Sequence, residues 1–211
     1  DGWAGQAGAG LVQSTRQFSW HAVALSKERP DQVALRSFAA ALALRDALVA
    51  VTGLPEAFSL KWPNDLLLQG AKAAGILVET GIAPTHSLDW ICIGIGVNIM
   101  SKPSLPDRPT ACLAEYLPNP PTPDALAAAL LQALSHWHET RLRQGFESIR
   151  DAWLRHGPAM GAAVSVKRDG ALIEGAFAGL EAADGGARAH SAFRSTPSSR
   201  TTRWGDPGPR G

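Results

Sequence analysis

The sequence predicts an α+β fold, with a mainly antiparallel or mixed sheet and helices packed on one side of it. Three short apolar runs, Leu66–Leu68, Gly75–Val78 and Trp90–Ile99, are separated by turn residues, which is the pattern of an antiparallel meander. The connections are too short for the helical crossover that parallel strands need. Two longer segments have helical periodicity, and a change to period two near the C-terminus predicts a β-hairpin.

The first long helix is predicted to begin at Asp31, an N-cap candidate, and to end at Gly53 and Pro55. Its apolar residues recur at helical spacing and predict a face that packs against the sheet; they are Val33, Leu35, Phe38, Leu42, Leu48 and Val49. The segment before it, Asp1–Pro30, shows only weak alternation. Its glycine-rich part, Gly5–Gly10, fits a phosphate-binding loop or a flexible terminus, and we favour the terminus.

A loop dense in proline follows Asn98, with a short helical turn predicted near Thr110–Tyr116. Thr122 as N-cap and Pro123 at the first helical position predict a second long helix to about Leu142. A further short helix is predicted over Phe146–His156. His136 and His138 are two residues apart on the second helix, so they point to different sides and do not form a metal pair.

After Met160, Val164 and Val166 alternate with polar residues, and an Asp169-Gly170 turn leads into a second strand, Ala171–Leu180. The remainder, Asp184–Gly211, has few large apolar residues and is predicted to be disordered. The pattern thus divides the chain into a main domain over residues 1–158, a hairpin segment over 159–183 and a tail over 184–211.

The composition is that of a globular protein, with 45% hydrophobic and 18% charged residues among 211 and a net charge of +1. This charge gives no electrostatic argument for binding nucleic acid or a membrane. The two cysteines, Cys92 and Cys112, have neither metal-site nor disulfide spacing, and Cys92 is predicted to be a small core residue. No signal peptide or membrane span is visible, so we expect a cytoplasmic protein.

Lys61 is the first candidate site residue. In a strand Ser59–Trp62 its side chain shares a face with Ser59, and Pro63 fixes the direction of the chain immediately afterwards. Asn64 and Asp65 then predict a turn that bonds its own backbone. A solvated surface lysine is the ordinary alternative, but a lysine at such a rigid corner is a positioned cation suited to a phosphate or a carboxylate.

Three glycines in strands are the next candidates. Gly94 and Gly96 open the same face of one predicted strand, and Gly75 begins another. Glycine inside a strand marks a bulge, close packing or the approach of a ligand to the backbone. We interpret this set as a slot, with the amide of Asn98 at its end.

The segments Lys61–Asp65 (KWPND), Ala74–Glu79 (AGILVE) and Gly94–Asn98 (GIGVN) together resemble the three signatures of biotin protein ligases in type, order and spacing. The resemblance covers roughly Asp31 to Leu180. It implies the catalytic fold shared with class II aminoacyl-tRNA synthetases, followed by an SH3-like barrel of which only the start is present. A homodimer formed through a sheet edge is left open.

The activity implied by the resemblance is a two-step reaction. Biotin reacts with ATP, assisted by Mg²⁺, to give biotinyl-5′-adenylate, and the biotinyl group then passes to a lysine of a biotin carboxyl carrier protein, such as that of acetyl-CoA carboxylase. Lys61 would contact the biotin carboxyl group and the α-phosphate. Leu66, Gly75, Gly94 and Gly96 would line the biotin slot, Asn98 would reach the adenylate, and no residue is assigned as a metal ligand.

The ends of the chain depart from the family pattern. The family's arginine- and glycine-rich loop, of the form GRGRxGR, has no counterpart, because no arginine precedes Arg16. This puts the adenylation activity of the chain as given in question. Our hypothesis is that Asp31–Leu180 is ligase sequence flanked by altered segments, as a frame shift would produce. The alternatives are a ligase of lipoate or octanoate and a non-catalytic module that binds biotin or the carrier domain.

Overall fold

The computed structural model describes the backbone of residues 8–14, 17–25, 30–82, 88–168, 171–183, 186–192 and 202–203. Side chains are described for residues 35–81, 90–165 and 174–180. The elements are β1 (Gly8–Ser14), β2 (Gln17–Leu25), α1 (Pro30–Thr52), β3 (Phe58–Lys61), β4 (Asp65–Leu68), β5 (Ala71–Ile82), β6 (Leu88–Asn98), α2 (Pro123–His156), β7 (Ala163–Arg168), β8 (Ala171–Ala183), β9 (Gly186–Ala192) and β10 (Thr202–Arg203). Short 3₁₀ turns occupy Pro55–Ala57 and Leu113–Glu115.

The main sheet has six strands in the order β1-β2-β6-β5-β4-β3, and every neighbouring pair is antiparallel. The meander predicted from the three apolar runs is therefore confirmed as β4, β5 and β6. Each connection between β3 and β5 is a tight turn, with Gln69 and Gly70 both at positive φ in the second one. Such turns bring the polar corner residues close to the adjacent strands.

Strands β1 and β2 were not predicted as such. The structure pairs β2 with β6 from Gln17↔Asn98 to Leu25↔Trp90, so this N-terminal segment extends the sheet. Gly8–Gly10, which we assigned to a flexible terminus, lies in β1. Weak alternation hid the strands because pairing through the backbone needs no apolar pattern. Gly5–Ala7 lie outside the described residues.

Both long helices pack together, and α1 contacts β3, β4, β5 and β6. Strand residues directed to the helices are almost fully buried; they include Leu60, Leu66, Ile76, Ile95 and Val97. Helix α1 begins at Pro30, one residue before the predicted cap Asp31, whose side chain lies outside the described residues. It ends as predicted at Gly53, which has φ +70° and donates its N–H to the Val49 carbonyl.

Helix α2 is interrupted at Gly145, where φ is +74° and ψ −169°. This break separates the two helices that the sequence predicts as ending near Leu142 and beginning at Phe146. Thr122 is the N-cap, and its side chain accepts a 3.2 Å hydrogen bond from the Ala125 N–H. The predicted turn before it is the 3₁₀ segment Leu113–Glu115.

A second antiparallel sheet, in the order β10-β9-β8-β7, forms the C-terminal part. The predicted hairpin is present as β7 and β8, with Arg168 opposite Ala171. Gly186–Ala192 differs from the disordered tail that we expected, because it pairs with β8 as strand β9. An open strand edge accepts a partner through backbone hydrogen bonds, which composition does not reveal. The SH3-like barrel itself stays a prediction.

Trp153 joins the C-terminal sheet to the helices. Its ring meets Phe38 of α1 edge-on at 5.6 Å between centroids and lies 6.3 Å from Phe177 of β8. Trp153 is 1% exposed, and all three rings belong to one buried cluster. Aromatic pairs at these distances add to the stabilisation that burial provides.

Candidate functional site

A row of facing residues crosses the side of the main sheet that lies opposite the helices. Lys61 faces Asp65, Asp65 faces Gly75, and Gly75 faces Gly96 on successive strands. In the next row, Leu77 faces Gly94. Two of the three family-like segments therefore meet at Gly75 and Gly96, and the third begins two strands away at Lys61.

The glycines open a cleft of about 330 Å³ on this face. It is lined by Asn64, Lys72, Gly75, Ile76, Leu77, Gly94, Ile95 and Gly96. The three glycines that we named for the slot are among these residues, and Asn98 is not; their contact with biotin stays a prediction. Leu77 is 57% exposed at its rim and offers apolar surface to a ligand.

Gly75 leaves room for a ligand without a backbone requirement for glycine. It is not among the residues with positive φ, and a Cβ built on it would lie 3.5 Å from the Lys72 Nζ and 4.0 Å from the Asp65 Oδ1. These are ordinary van der Waals separations. A side chain at this position is therefore compatible with the fold, and it would project into the cleft.

Lys72 is the cation that lines the cleft. The sequence analysis did not name it as a site residue, because it lies in the segment predicted to be the turn between two apolar runs. Strict alternation would place Lys72 and Gly75 on opposite faces of β5. The structure has a register shift between Leu66 and Leu67, where Leu66 faces Ala74 but Leu67 faces Lys72. This bulge adds one residue to β5, so Lys72 comes to the same face as Gly75.

Asp65 holds Lys72 over the cleft. Its carboxylate Oδ1 contacts the Lys72 ammonium, and its side chain is only 7% exposed. The second oxygen, Oδ2, lies 3.4 Å from Nη1 of Arg108. A buried carboxylate needs such compensation, because desolvation of an unpaired charge is costly.

Lys61 lies on the same face of the sheet as Gly75 but outside the lining of the cleft. It is two strands from Gly75, which at the usual strand spacing is about 10 Å. A ligand extended along the row from Gly75 toward Asp65 would approach it. The Trp62–Pro63 peptide bond at the corner is cis.

Leu66 does not line the cleft. It is 0% exposed in the core beneath the sheet, because its neighbour Asp65 faces the cleft and adjacent strand residues point to opposite sides. The expected contact of Leu66 with biotin is corrected accordingly. Its side chain fixes β4 on the helices instead.

The two asparagines of the site form side-chain hydrogen bonds to backbone carbonyls of other segments. We expected Asn64 to bond the backbone of its own turn. Its side chain instead donates through Nδ2 to the Ile76 carbonyl at 2.8 Å, and its backbone carbonyl accepts from the Ile76 N–H. Asn98 donates through Nδ2 to the Ala111 carbonyl at 3.0 Å. In this structure, therefore, the Asn98 amide fixes the loop that follows β6; its contact with an adenylate stays a prediction.

That loop, residues 99–112, is attached to the cleft. The Lys72 N–H donates to the Pro109 carbonyl at 3.0 Å, and the Ala111 N–H donates to the Lys72 carbonyl at 2.9 Å. Thr110 forms an isolated parallel bridge with Lys72. The sequence showed only a proline-dense connection, since the contacts depend on the position of Lys72 in the fold.

Cys92 differs from the core residue that we predicted. It is half-buried and faces Glu79 on β5. Burial raises the pKa of the Cys92 thiol, and the Glu79 carboxylate raises it further. Both effects keep the thiol protonated, so it is poorly suited to act as a nucleophile.

Within the described residues, no His, Cys, Asp or Glu side chains form a group of three that could hold a metal ion. No helix of this described part is long and apolar enough to cross a membrane. Mg²⁺ commonly keeps several waters and is held partly by substrate phosphates.

Comparison with known proteins gives a family match over most of the chain. The sequence profile of the Biotin/lipoate A/B protein ligase family matches residues 3–155, which includes the N-terminal segment that we had set apart. A biotin--[acetyl-CoA-carboxylase] ligase of Paracoccus denitrificans is 34% identical over 157 residues, or 69% of this chain. The matched part spans 62% of that relative's length. A ligase of the same name from Mycobacterium tuberculosis is 33% identical over 99 residues, 46% of this chain and 35% of the relative.

Solved structures share the fold. A biotin protein ligase-like protein of unknown function from Silicibacter superposes with a TM-score of 0.74 at 19% identity, covering 94% of this chain and 83% of that one. A mutant of the Aquifex aeolicus biotin protein ligase, in complex with biotin, gives 0.67 at 22% identity, covering 83% and 71%. At these identities the structures establish the fold alone. The predicted sheet with helices on one side is confirmed.

Proposed function

This chain belongs to the Biotin/lipoate A/B protein ligase family, and we propose that it activates biotin with ATP and transfers it to a lysine of a carboxyl carrier protein. The observation that carries this proposal is the glycine-lined cleft with Lys72 over Gly75. The curated relatives named as biotin ligases support the choice of biotin within the family. The apolar rim at Leu77 and the open backbone suit a ligand with a compact ring system and an anionic end.

In the first step, a biotin carboxylate oxygen bonds to the α-phosphorus of ATP, and the bond from that phosphorus to the bridging oxygen breaks to release pyrophosphate. Two anions must be held together, and negative charge builds up at phosphorus. Fixed cations supply the required stabilisation. Lys72 binds the carboxylate in the cleft, and Lys61 approaches the α-phosphate further along the row.

In the second step, the amine of the carrier lysine attacks the acyl carbon of the mixed anhydride. The bond from that carbon to the AMP oxygen breaks, AMP leaves, and the attacking nitrogen loses a proton to form an amide. The cleft contributes by holding the acyl group in place for the attack. Mg²⁺ would accompany ATP and neutralise phosphate charge; no step is assigned to a protein-bound metal.

The test is calorimetric titration of the full chain with biotin, then with biotin, ATP and Mg²⁺, together with an assay of pyrophosphate release. We expect biotin binding that weakens about tenfold or more in Lys72→Ala and pyrophosphate release that falls in both Lys72→Ala and Lys61→Ala. Lys102→Ala is the control, since Lys102 lies on the loop of residues 99–112 but pairs with Glu115 and does not line the cleft.

Other outcomes separate the alternatives. If calorimetry detected binding of lipoate or octanoate but not of biotin, the chain would be a ligase for those acids. Biotin binding without pyrophosphate release would indicate a binding module. A folded protein that binds none of these ligands would overturn the proposal.

A further inference from the structure

Arg108 is a charged residue that the reaction described above does not use. It lies on the loop of residues 99–112, and its Nη1 is 3.4 Å from the Asp65 Oδ2. Its Nη2 is held at 2.9 Å by Asp107. Four charges therefore alternate in sign from the exposed Asp107, through Arg108 and Asp65, to Lys72 in the cleft.

The middle of this chain of charges is the part that burial affects most. Asp65 is 7% exposed, whereas Arg108 is 39% exposed. With two cations on its two oxygens, Asp65 is compensated before a ligand binds. When Lys72 turns toward an incoming carboxylate, Asp65 would be left as a buried, uncompensated anion unless a second cation stayed in place.

The backbone keeps that second cation in place. The Pro109 carbonyl accepts from the Lys72 N–H, and the Ala111 N–H donates to the Lys72 carbonyl. These bonds fix the loop directly beside Lys72, and Asp107 orients the guanidinium from the solvent side. Arg108 is thus attached to the residue whose release it would permit.

We propose that Arg108 is a positioning residue that compensates Asp65 while Lys72 transfers to the carboxylate of the bound acid. This inference rests on the proposed function, because it names the counter-charge by which the cleft binds biotin. Arg108 acts through Asp65 and does not touch the ligand. Without Arg108, Lys72 stays on Asp65 and the cleft loses its cation.

The test compares binding of biotin with binding of biotin alcohol, which has the same rings but no carboxylate, by calorimetry. In Arg108→Gln, we expect the Kd for biotin to rise about tenfold while the Kd for the alcohol changes less than about twofold. Arg108→Lys should restore most of the affinity. Lys102→Gln is the matched control, because Lys102 is 38% exposed and pairs with Glu115 near the same loop.

The double variant Arg108→Gln/Asp65→Asn identifies the route of the effect. When residue 65 is neutral, no second cation is needed to compensate it after Lys72 turns toward the ligand. Arg108→Gln should then no longer weaken biotin binding relative to Asp65→Asn alone. A persisting tenfold loss in that background would mean that Arg108 contacts the ligand directly, and it would overturn the inference.

Two further results would also overturn it. An equal loss for biotin and the alcohol would indicate that Arg108 only supports the shape of the cleft, and unchanged biotin binding would show that it has no role. If the wild-type chain bound no biotin, the proposed function would fail first and this inference with it.

Discussion

Gly75 and Gly53 are glycines for different physical reasons. Gly53 ends α1 with φ +70°, a backbone conformation that residues other than glycine rarely adopt. A Cβ built on it would have no atom within 4 Å. Gly75 has no positive φ, and a Cβ there would point into the cleft beside Lys72. One glycine serves the backbone, and the other leaves space.

This difference predicts opposite results for two alanine variants. Gly53→Ala should lower the free energy of unfolding by about 1 kcal/mol through strain and leave biotin affinity unchanged. Gly75→Ala should leave the free energy of unfolding within about 0.5 kcal/mol and raise the Kd for biotin about tenfold or more, since the methyl group occupies ligand space. Urea unfolding and calorimetry measure the two quantities. Unchanged biotin binding in Gly75→Ala would remove Gly75 from the site.

The sequence analysis identified the glycines and Lys61, but it identified neither Lys72 nor Arg108. The glycines stand out because residues without side chains are unusual inside strands. Lys72 looked like a turn residue because the bulge that turns it into the cleft is a property of the pairing of β4 with β5. Arg108 is 43 residues from Asp65 in sequence, and its contact depends on how the loop folds.

Arg45 of α1 anchors the connection to β3. It is 9% exposed, and its guanidinium donates to the Pro55 carbonyl at 2.8 Å and to the Phe58 carbonyl at 3.3 Å. We expect Arg45→Ala to reduce the free energy of unfolding by about 2–3 kcal/mol, since it leaves these carbonyls without their charged donor. Arg143→Ala, which removes an exposed pair with Glu139, should cost less than about 0.5 kcal/mol. A loss below about 1 kcal/mol for Arg45→Ala in urea unfolding would contradict this assignment.

Thr122 and Thr140 offer a matched pair on α2. The Thr122 hydroxyl accepts from the Ala125 N–H at the first turn, whereas the Thr140 hydroxyl donates to the His136 carbonyl within the helix. Thr122→Ala should cost about 1 kcal/mol of stability because a terminal N–H loses its acceptor. Thr140→Ala should change stability little, since alanine favours the helix interior. Thermal unfolding of the two variants checks the difference, and equal effects would count against the cap.

For the whole molecule, His156 links stability to pH. Burial lowers its pKa from the usual 6.5, and the nearby Arg45 lowers it further, while Asp46 and Glu56 oppose this and Arg155 adds to it. The unfolded chain therefore binds the proton more readily, so stability should fall as the pH drops from about 6.5 toward the lower folded pKa. His156→Gln should flatten the stability profile in this window, as measured by urea unfolding at several pH values. A variant with the wild-type slope would assign the dependence to other groups.

The architecture was largely accessible from sequence, and the N-terminal strands and the C-terminal sheet show why part of it was not. The runs that form β4, β5 and β6 carry buried Leu and Ile residues, α2 has Thr122 as its N-cap, and α1 ends at Gly53, so local chemistry specified them. Strands β1, β2 and β9 join existing edges through backbone bonds. Such pairing depends on what the rest of the chain presents and leaves a weak signal in composition.

Both long helices cover the same face of the main sheet, and the cleft opens on the other. Among the described residues the helices leave this face uncovered, so under the proposed function the second reactant need not be as small as a metabolite. Under the proposed function, a carrier domain would approach past the rim near Leu77, which is exposed. The layering that gives this protein its core therefore leaves the opposite face of the sheet available to the folded protein substrate that the proposed function requires.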